Sequence, residues 1–363
     1  MKQTYTRWFC GFVAVLLLLL AACAAVVYTV DPALYYRMPE GGKTAYFSER
    51  YQSAGMAKNV KADTVVIGTS MAANYRASRI GEAFGGSGLR ITLPDGYLSE
   101  FDRVMDTLLR HQKPERVIFV LDLNIMIRDE SGVTDVMPEY LYNRSPIDDI
   151  QYLLNKDNLY YSLFNLMSRK WNTLQTLDEG FAWDRDIWWN HQTALMFYER
   201  PTPAEQALPA DAYHDHVCAN LAVMERWFRE NPDIEFRLFL SPYSMLFWDK
   251  ASRLGETDAL LTAMEQICTA LLEHENVSLY GYLMDREFVE DLDNYCDHIH
   301  HSTMTGDRIL AKLAADEGQL TKENLAAAIA NWREFVINYN YEKFWDDAFW
   351  IQWAADKAAG QAS

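Results

Sequence analysis

A chain of 363 residues, half of them hydrophobic and 13% aromatic, carries enough apolar side chain for a large core and falls outside the disordered class. Its formal charge of −18 argues against nucleic acid as a partner, because that affinity rests on Lys and Arg neutralising phosphates. One large domain, or one domain with an insertion, is expected at this length.

Residues 1–7 carry Lys2 and Arg7, and residues 8–30 hold no charged side chain. The run contains five consecutive leucines and matches the length needed to cross a hydrocarbon core of roughly 30 Å. It is read as a single transmembrane anchor. With the basic residues before it and Asp31 after it, the positive-inside rule puts the N-terminus in the cytoplasm and the rest of the chain outside. Leu20-Ala21-Ala22-Cys23 has the pattern of a lipoprotein box, and the small residues also suit signal peptidase. Against cleavage, the apolar run continues past Cys23 through Tyr28 instead of leaving the membrane by a polar tether.

Residues 31–61, with Pro32, Pro39, Gly41 and Gly42, read as a connector. Residues 62–320 read as the domain proper. Short runs at 64–67, 116–123, 235–240 and 277–280 have the β-branched, leucine-rich and aromatic content of buried strands. Helical patterns at 100–111, 217–230 and 257–274 lie between them, so an α/β domain with a parallel sheet is expected. Residues 128–211 break this rhythm. They are dense in aromatics, among them Tyr160, Tyr161, Trp171, Trp183, Trp188 and Trp189, and read as a mostly helical insertion whose rings form either a wall above a site or an ordinary core. Residues 321–363 form an aromatic helical extension, which either packs back on the domain or meets a membrane interface.

The chemistry concentrates at strand ends. Gly68-Thr69-Ser70 closes the first strand with a candidate nucleophile, and Asp297-His298-Ile299-His300 lies near the far end of the domain. A carboxylate three residues before a histidine can fix one imidazole nitrogen while the other faces a serine hydroxyl. Ser70, Asp122 with Asn124, and Ser241-Pro242-Tyr243 all follow predicted strands, and parallel sheets present reactive groups at that edge. The G-x-S-x pattern also evokes the α/β-hydrolase elbow. In that fold several strands precede the nucleophile, whereas here only the apolar run and the connector do.

Cys296, Asp297, His298, His300 and His301 invite a metal reading, as do His214, His216 and Cys218, but neither cluster has zinc-site spacing, and no metal or cofactor is expected. On a helix His214 and Cys218 share a face and His216 does not. Outside the anchor the cysteines number three, Cys218, Cys268 and Cys296. One bridge with a free thiol and three reduced thiols are both open.

With Ser70 on the first strand and D-x-x-H near the end of the domain, the chain resembles the SGNH (GDSL-like) hydrolase superfamily over residues 60–315. Within it, the likeness is to membrane-anchored, exported members that modify cell-envelope polymers by teichoic-acid D-alanylation or exopolysaccharide O-acetylation. The resemblance implies a flavodoxin-like three-layer fold, Ser70 as nucleophile with Asp297 and His300 as partners, and Gly96 as the second-block glycine. The backbone N–H groups of Ser70 and Gly96 would then form the oxyanion hole. The family's third block is usually G-x-N-D. Here Asp122-Leu123-Asn124 replaces it, so Asn124 is a candidate donor and a carboxylate at Asp122 cannot be one. Ser241 and Tyr243 are further substrate-side candidates. Gly-Thr-Ser stands in place of Gly-Asp-Ser, and His301 and Ser302 follow His300 where proline is common.

These readings combine into an exported, anchored serine O-acyltransferase or esterase. It would act on a cell-envelope glycan or polyol, beside a polytopic membrane acyltransferase. A plain esterase and a non-catalytic scaffold or glycan-binding module are the alternatives.

Overall fold

The computed structural model describes residues 2–143, 145–184 and 187–359. These fall into two units, one within the bounds Met1–Lys61, Arg103–Lys113 and Asp135–Phe181, the other within Ala62–Asp102, Pro114–Thr134 and Ala182–Ser363.

The second unit is built on a six-stranded sheet. Its strands are β1 (Thr64–Gly68), β2 (Gly88–Thr92), β3 (Arg116–Leu121), β4 (Glu235–Leu240), β5 (Val277–Tyr280) and β6 (Gln319–Leu320), in the order β2-β1-β3-β4-β5-β6. All neighbours are parallel except β5 and β6. The order 2-1-3-4-5 is that of flavodoxin-like doubly wound sheets, which bind ligands beyond the strand C-termini where the order reverses. That reversal falls between β1 and β3.

Val65, Val66 and Ile67 of β1 and Ile118, Val120 and Leu121 of β3 have no measurable exposure, as expected of parallel strands covered on both faces. The four strands expected from the sequence are present. The third stops at Leu121, because the Asp122 carboxylate accepts the Asn124 N–H and caps the short helix Leu123–Met126. Two strands had no sequence signal. β2 has a buried Arg90 at its centre, its guanidinium donating to the Tyr75 carbonyl, and β6 is two residues long.

The expected insertion is less helical than its composition implied. Helices Glu139–Tyr142, Asp149–Leu153, Lys156–Lys170 and His191–Met196 alternate with irregular chain, and the chain changes unit twice inside it, after Thr134 and after Phe181. The aromatic extension packs back on its own unit. Phe344 is buried, Trp350 stacks on His191 at 4.0 Å, and Arg200 lies 3.8 Å over Trp345.

The first unit begins with the helix Lys2–Val30, of which Tyr5–Val30 is long and apolar enough to cross a membrane, with a mean hydropathy of 2.9 over its most apolar 18 residues. Asp31 follows at a φ of 52°, a left-handed position that Asp tolerates, and its N–H donates to the Val27 carbonyl. The Asp31 carboxylate then accepts from the N–H groups of Tyr35, Tyr36 and Arg37 and from the Tyr152 hydroxyl. This ties the end of the helix to the chain around Tyr152.

Candidate active site

β1 ends at Gly68, where an added Cβ would meet the Cβ of Val120 at 2.8 Å and that of Ala72 at 3.0 Å. Glycine is needed here so that β3 can approach the turn. Ser70 opens that turn, the 3₁₀ segment Ser70–Ala72, and Thr69 caps it by accepting the Met71 N–H.

The Ser70 Oγ lies 2.8 Å from His300 Nε2, and His300 Nδ1 lies 2.6 Å from Asp297 Oδ2. With the proton on Nδ1 facing the carboxylate, Nε2 is left to accept from the serine hydroxyl. The other carboxylate oxygen, Oδ1, accepts the N–H groups of Ile299 at 2.8 Å and His300 at 2.7 Å, which locks the three-residue spacing. Burial pushes the Asp297 carboxyl upward. The His300 ring bond and charge, with the two N–H bonds, outweigh this and hold it below the usual range. Three residues 230 positions apart or less in sequence thus form a serine–histidine–carboxylate relay.

The neighbouring histidines are different. Burial pushes His298 and His301 each down to about 4, so both are neutral near pH 7. The His298 carbonyl accepts from the Ser244 N–H and hydroxyl, and the His301 carbonyl accepts from the Asn74 side chain. These bonds fasten the His300 loop to the chain after β4 and to the turn after Ser70.

A second network lies behind the nucleophile. Thr69 Oγ1 donates to Asp122 Oδ2 at 2.8 Å, and the Tyr243 hydroxyl donates to Asp122 Oδ1. Burial first, then the Asp122 charge, pushes the Tyr243 phenol well up and keeps it a donor. The ends of β1, β3 and β4 are thereby cross-linked by side chains.

This geometry revises several expected roles. The Gly96 N–H donates to the Leu93 carbonyl at 2.9 Å, closing a turn, so it is committed and does not serve an oxyanion. Asp122, Ser241 and Tyr243 are buried and do not line a substrate surface; Asp122 and Tyr243 brace the strand ends, while the Ser241 hydroxyl has no partner among the described residues. Asn124 is half-buried, and its Nδ2 lies 3.4 Å from the Tyr243 oxygen. An amide nitrogen has two donors, so one remains for a ligand.

A cavity of about 440 Å³ adjoins the relay, lined by Asp297 and His300 and by Trp183, Trp188, Met196 and Phe197. Its wall is mainly apolar. The Trp183 ring stands edge-on to the His300 imidazole, with centroids 5.0 Å apart. Cys296 also lines the cavity, and burial pushes its thiol up to about 12, which disfavours the thiolate. Sequence reasoning had no means of singling out Thr69, or of separating Trp183 from the other insertion aromatics, because both roles depend on long-range pairing.

Among the described residues no group of three His, Cys, Asp or Glu side chains is arranged to hold a metal. Cys218, Cys268 and Cys296 are all unpaired, and Cys218 Sγ sits 3.6 Å from His214 Nε2 on one helix face. The fold and site define an α/β protein with a serine–histidine–aspartate relay at the switch point of a mostly parallel sheet. Comparison with known proteins finds no matching family model and no matching curated protein.

Proposed function

We propose that this protein is an exported, membrane-anchored serine acyl-transfer enzyme of the SGNH type, acting on hydroxyl groups of a cell-envelope glycan or polyol. The observation that carries the reading is the Ser70–His300–Asp297 relay, with hydrogen-bonding distances of 2.8 and 2.6 Å and a carboxyl held below its usual range. The anchoring part rests on the apolar helix Tyr5–Val30, with Lys2 and Arg7 before it setting the orientation.

In this reading the Ser70 Oγ attacks the acyl carbonyl while its proton passes to His300 Nε2, and Asp297 stabilises the imidazolium. The bond from the carbonyl carbon to the donor oxygen or sulfur breaks, and His300 returns the proton to that leaving atom. An acceptor hydroxyl then loses its proton to His300, attacks the Ser70 ester and regenerates the serine. The Ser70 N–H, first in its turn, and the free Asn124 donor are the groups assigned to the oxyanion. The apolar cavity beside His300 takes the acyl group, and its Trp and Phe walls limit competing water. A polytopic membrane acyltransferase is the proposed source of acyl groups.

The test is intact mass of the full-length protein in detergent after exposure to a fluorophosphonate, with Ser70→Ala and His300→Ala in parallel. One adduct on the unmodified protein, absent from both variants, is expected. A folded protein that takes no adduct overturns the enzymatic reading in favour of a scaffold. Ester substrates with acyl chains of two to eight carbons, offered with and without a polyol acceptor, then separate transfer from hydrolysis.

A further inference from the structure

The helix Lys156–Lys170 is turned inside out relative to a helix of a water-soluble domain. Its buried positions are Asn158, Ser162, Asn165 and Ser168, all polar and spaced three or four apart. Three of these side chains have internal partners: Asn158 Nδ2 donates to the Tyr152 carbonyl, Ser162 Oγ to the Asn158 carbonyl, and Asn165 Nδ2 to Thr44 Oγ1. The outward positions Tyr160, Leu163, Phe164, Leu166 and Met167, with Trp171 just beyond the helix, are apolar or aromatic and 41–65% exposed. Hydrophobic burial in water drives the opposite arrangement.

The surroundings say which solvent reverses it. This helix and its neighbour Asp149–Leu153 pack against the first helix, whose Val27 is fully buried, and Ile150 and Leu154 extend the exposed apolar surface. The charge-free run 8–30 has 23 residues, so at 1.5 Å per residue it is about 35 Å long, exceeding a hydrocarbon core of roughly 30 Å. With Lys2 and Arg7 holding its start at the opposite interface, its last turns reach the headgroup layer. Lys156, Arg169 and Lys170 sit at the two ends of the outward helix, with Tyr160 and Trp171 on its apolar side, which is the composition of an interfacial helix. The charges of Lys156, Asp157, Arg169 and Lys170 sum to a local excess of two positive charges in a chain of net −18.

We propose that the outward face of Lys156–Lys170 is a lipid-contacting surface, lying in the interfacial layer of the same bilayer that the first helix crosses. The proposal rests on the reading of residues 8–30 as a membrane span. It makes the anchor two-part: a span, and a helix beside it whose polar side serves as the protein's interior and whose apolar side meets acyl chains.

The test uses the full-length chain with Cys10, Cys23 and Cys218 replaced by alanine, reconstituted in phosphatidylethanolamine–phosphatidylglycerol liposomes. Single nitroxide labels are placed through Phe164→Cys, Met167→Cys, Leu18→Cys in the span, and Glu205→Cys as a water-facing reference, and circular dichroism verifies folding of each variant. Accessibility to oxygen, which partitions into lipid, is compared with accessibility to a water-soluble nickel chelate. Positions 18, 164 and 167 are expected to favour oxygen several-fold, and position 205 to favour nickel. Nickel-favouring labels at 164 and 167, or labels there shielded from both reagents as under a second protein chain, with position 18 still in lipid, overturn the proposal and leave the anchor standing. A nickel-favouring label at position 18 overturns both.

Discussion

Asp297 and Asp31 are two carboxylates taken out of water in different units of the molecule, each accepting backbone N–H bonds, and their environments push them in opposite directions. At Asp31 burial is the largest influence. The Tyr152 hydroxyl and the N–H groups of Tyr36, Arg37 and Tyr35 oppose it without overcoming it, so the carboxyl is held above the usual range. At Asp297 burial is again the largest single influence, but an imidazole ring joins two N–H donors and the net direction is downward. Neutral donors, with only the half-exposed Arg37 guanidinium 4.0 Å away, do not offset desolvation at Asp31, whereas an ionisable ring hydrogen-bonded at 2.6 Å does at Asp297. That difference marks one carboxylate as able to support proton transfer and the other as a structural node at the end of the first helix.

Replacing each carboxylate is the most direct way to break this comparison. Asp297→Asn preserves shape but favours the wrong imidazole tautomer, so ester turnover is expected to fall roughly 10⁴-fold while the folded state is retained. A variant that turns over within tenfold of the parent would remove Asp297 from the relay. Asp31→Ala is expected to act on stability instead. It strands the Tyr152 hydroxyl and three N–H groups, at roughly 2–5 kcal/mol in total, read as loss of hydrogen-exchange protection in the segments holding Tyr35 and Tyr152.

The pH dependence sharpens the contrast. Asp31 has a folded pKa above its unfolded value, so its contribution is complete below about pH 3.8 and is lost as pH rises through the folded value. Asp297 has a lowered one, so its contribution is present above about pH 3.8 and is lost as pH falls further. His301 adds to the acid side. Its folded value of about 4 lies below the unfolded 6.5, so the unfolded chain binds the extra proton and stability declines as pH falls from 6.5 to about 4. The span corresponds to about 3 kcal/mol at most. His298 has the same lowered value, so His301→Phe, which keeps a ring against Tyr75, should remove about half of the histidine-linked decline in the second unit. An unchanged slope would show that His301 is not the group titrating.

Which parts of this were legible in the sequence follows from the range of the interactions. β1, β3, β4 and β5 were legible because each carries adjacent buried apolar residues, Val65–Ile67, Val117–Leu121, Leu238–Leu240 and Leu279–Tyr280, so local composition carries the signal. β2 was not, because a buried arginine satisfied by the distant Tyr75 carbonyl looks polar in a local window. The Asp297–His300 pair was legible from a three-residue spacing. The commitment of the Gly96 N–H to its own turn, and the burial of Ser241 and Tyr243, depend on geometry that a motif does not carry. The helix Lys156–Lys170 is a sharper case. Its periodicity is visible in the sequence, but periodicity separates two faces without saying which one meets water.

The smallest expected effect concerns the brace behind the nucleophile, which joins residues 53 and 121 positions apart and arises from strand register. β1 and β3 pair with Ile67 opposite Phe119, so the chain two residues beyond each brings Thr69 and Leu121 to the same edge, with Asp122 next in line. Thr69→Val keeps the volume and removes both the bond to Asp122 and the cap on the Met71 N–H. A loss of about 1–2 kcal/mol in stability is expected, because a buried acceptor and one donor lose a partner. If the brace also sets the position of Ser70, fluorophosphonate labelling should slow by roughly threefold to tenfold, since a reacting atom displaced by a fraction of an ångström loses alignment with His300. Tyr243→Phe removes the other donor to Asp122, and the long contacts that the Tyr243 oxygen accepts from Asn124, without touching the turn that holds Ser70. It should therefore match Thr69→Val in stability and exceed it in labelling rate. Equal labelling rates would mean that the two strand ends hold Ser70 through the carboxylate itself, and an unslowed Thr69→Val would mean that Gly68 and the turn after it suffice.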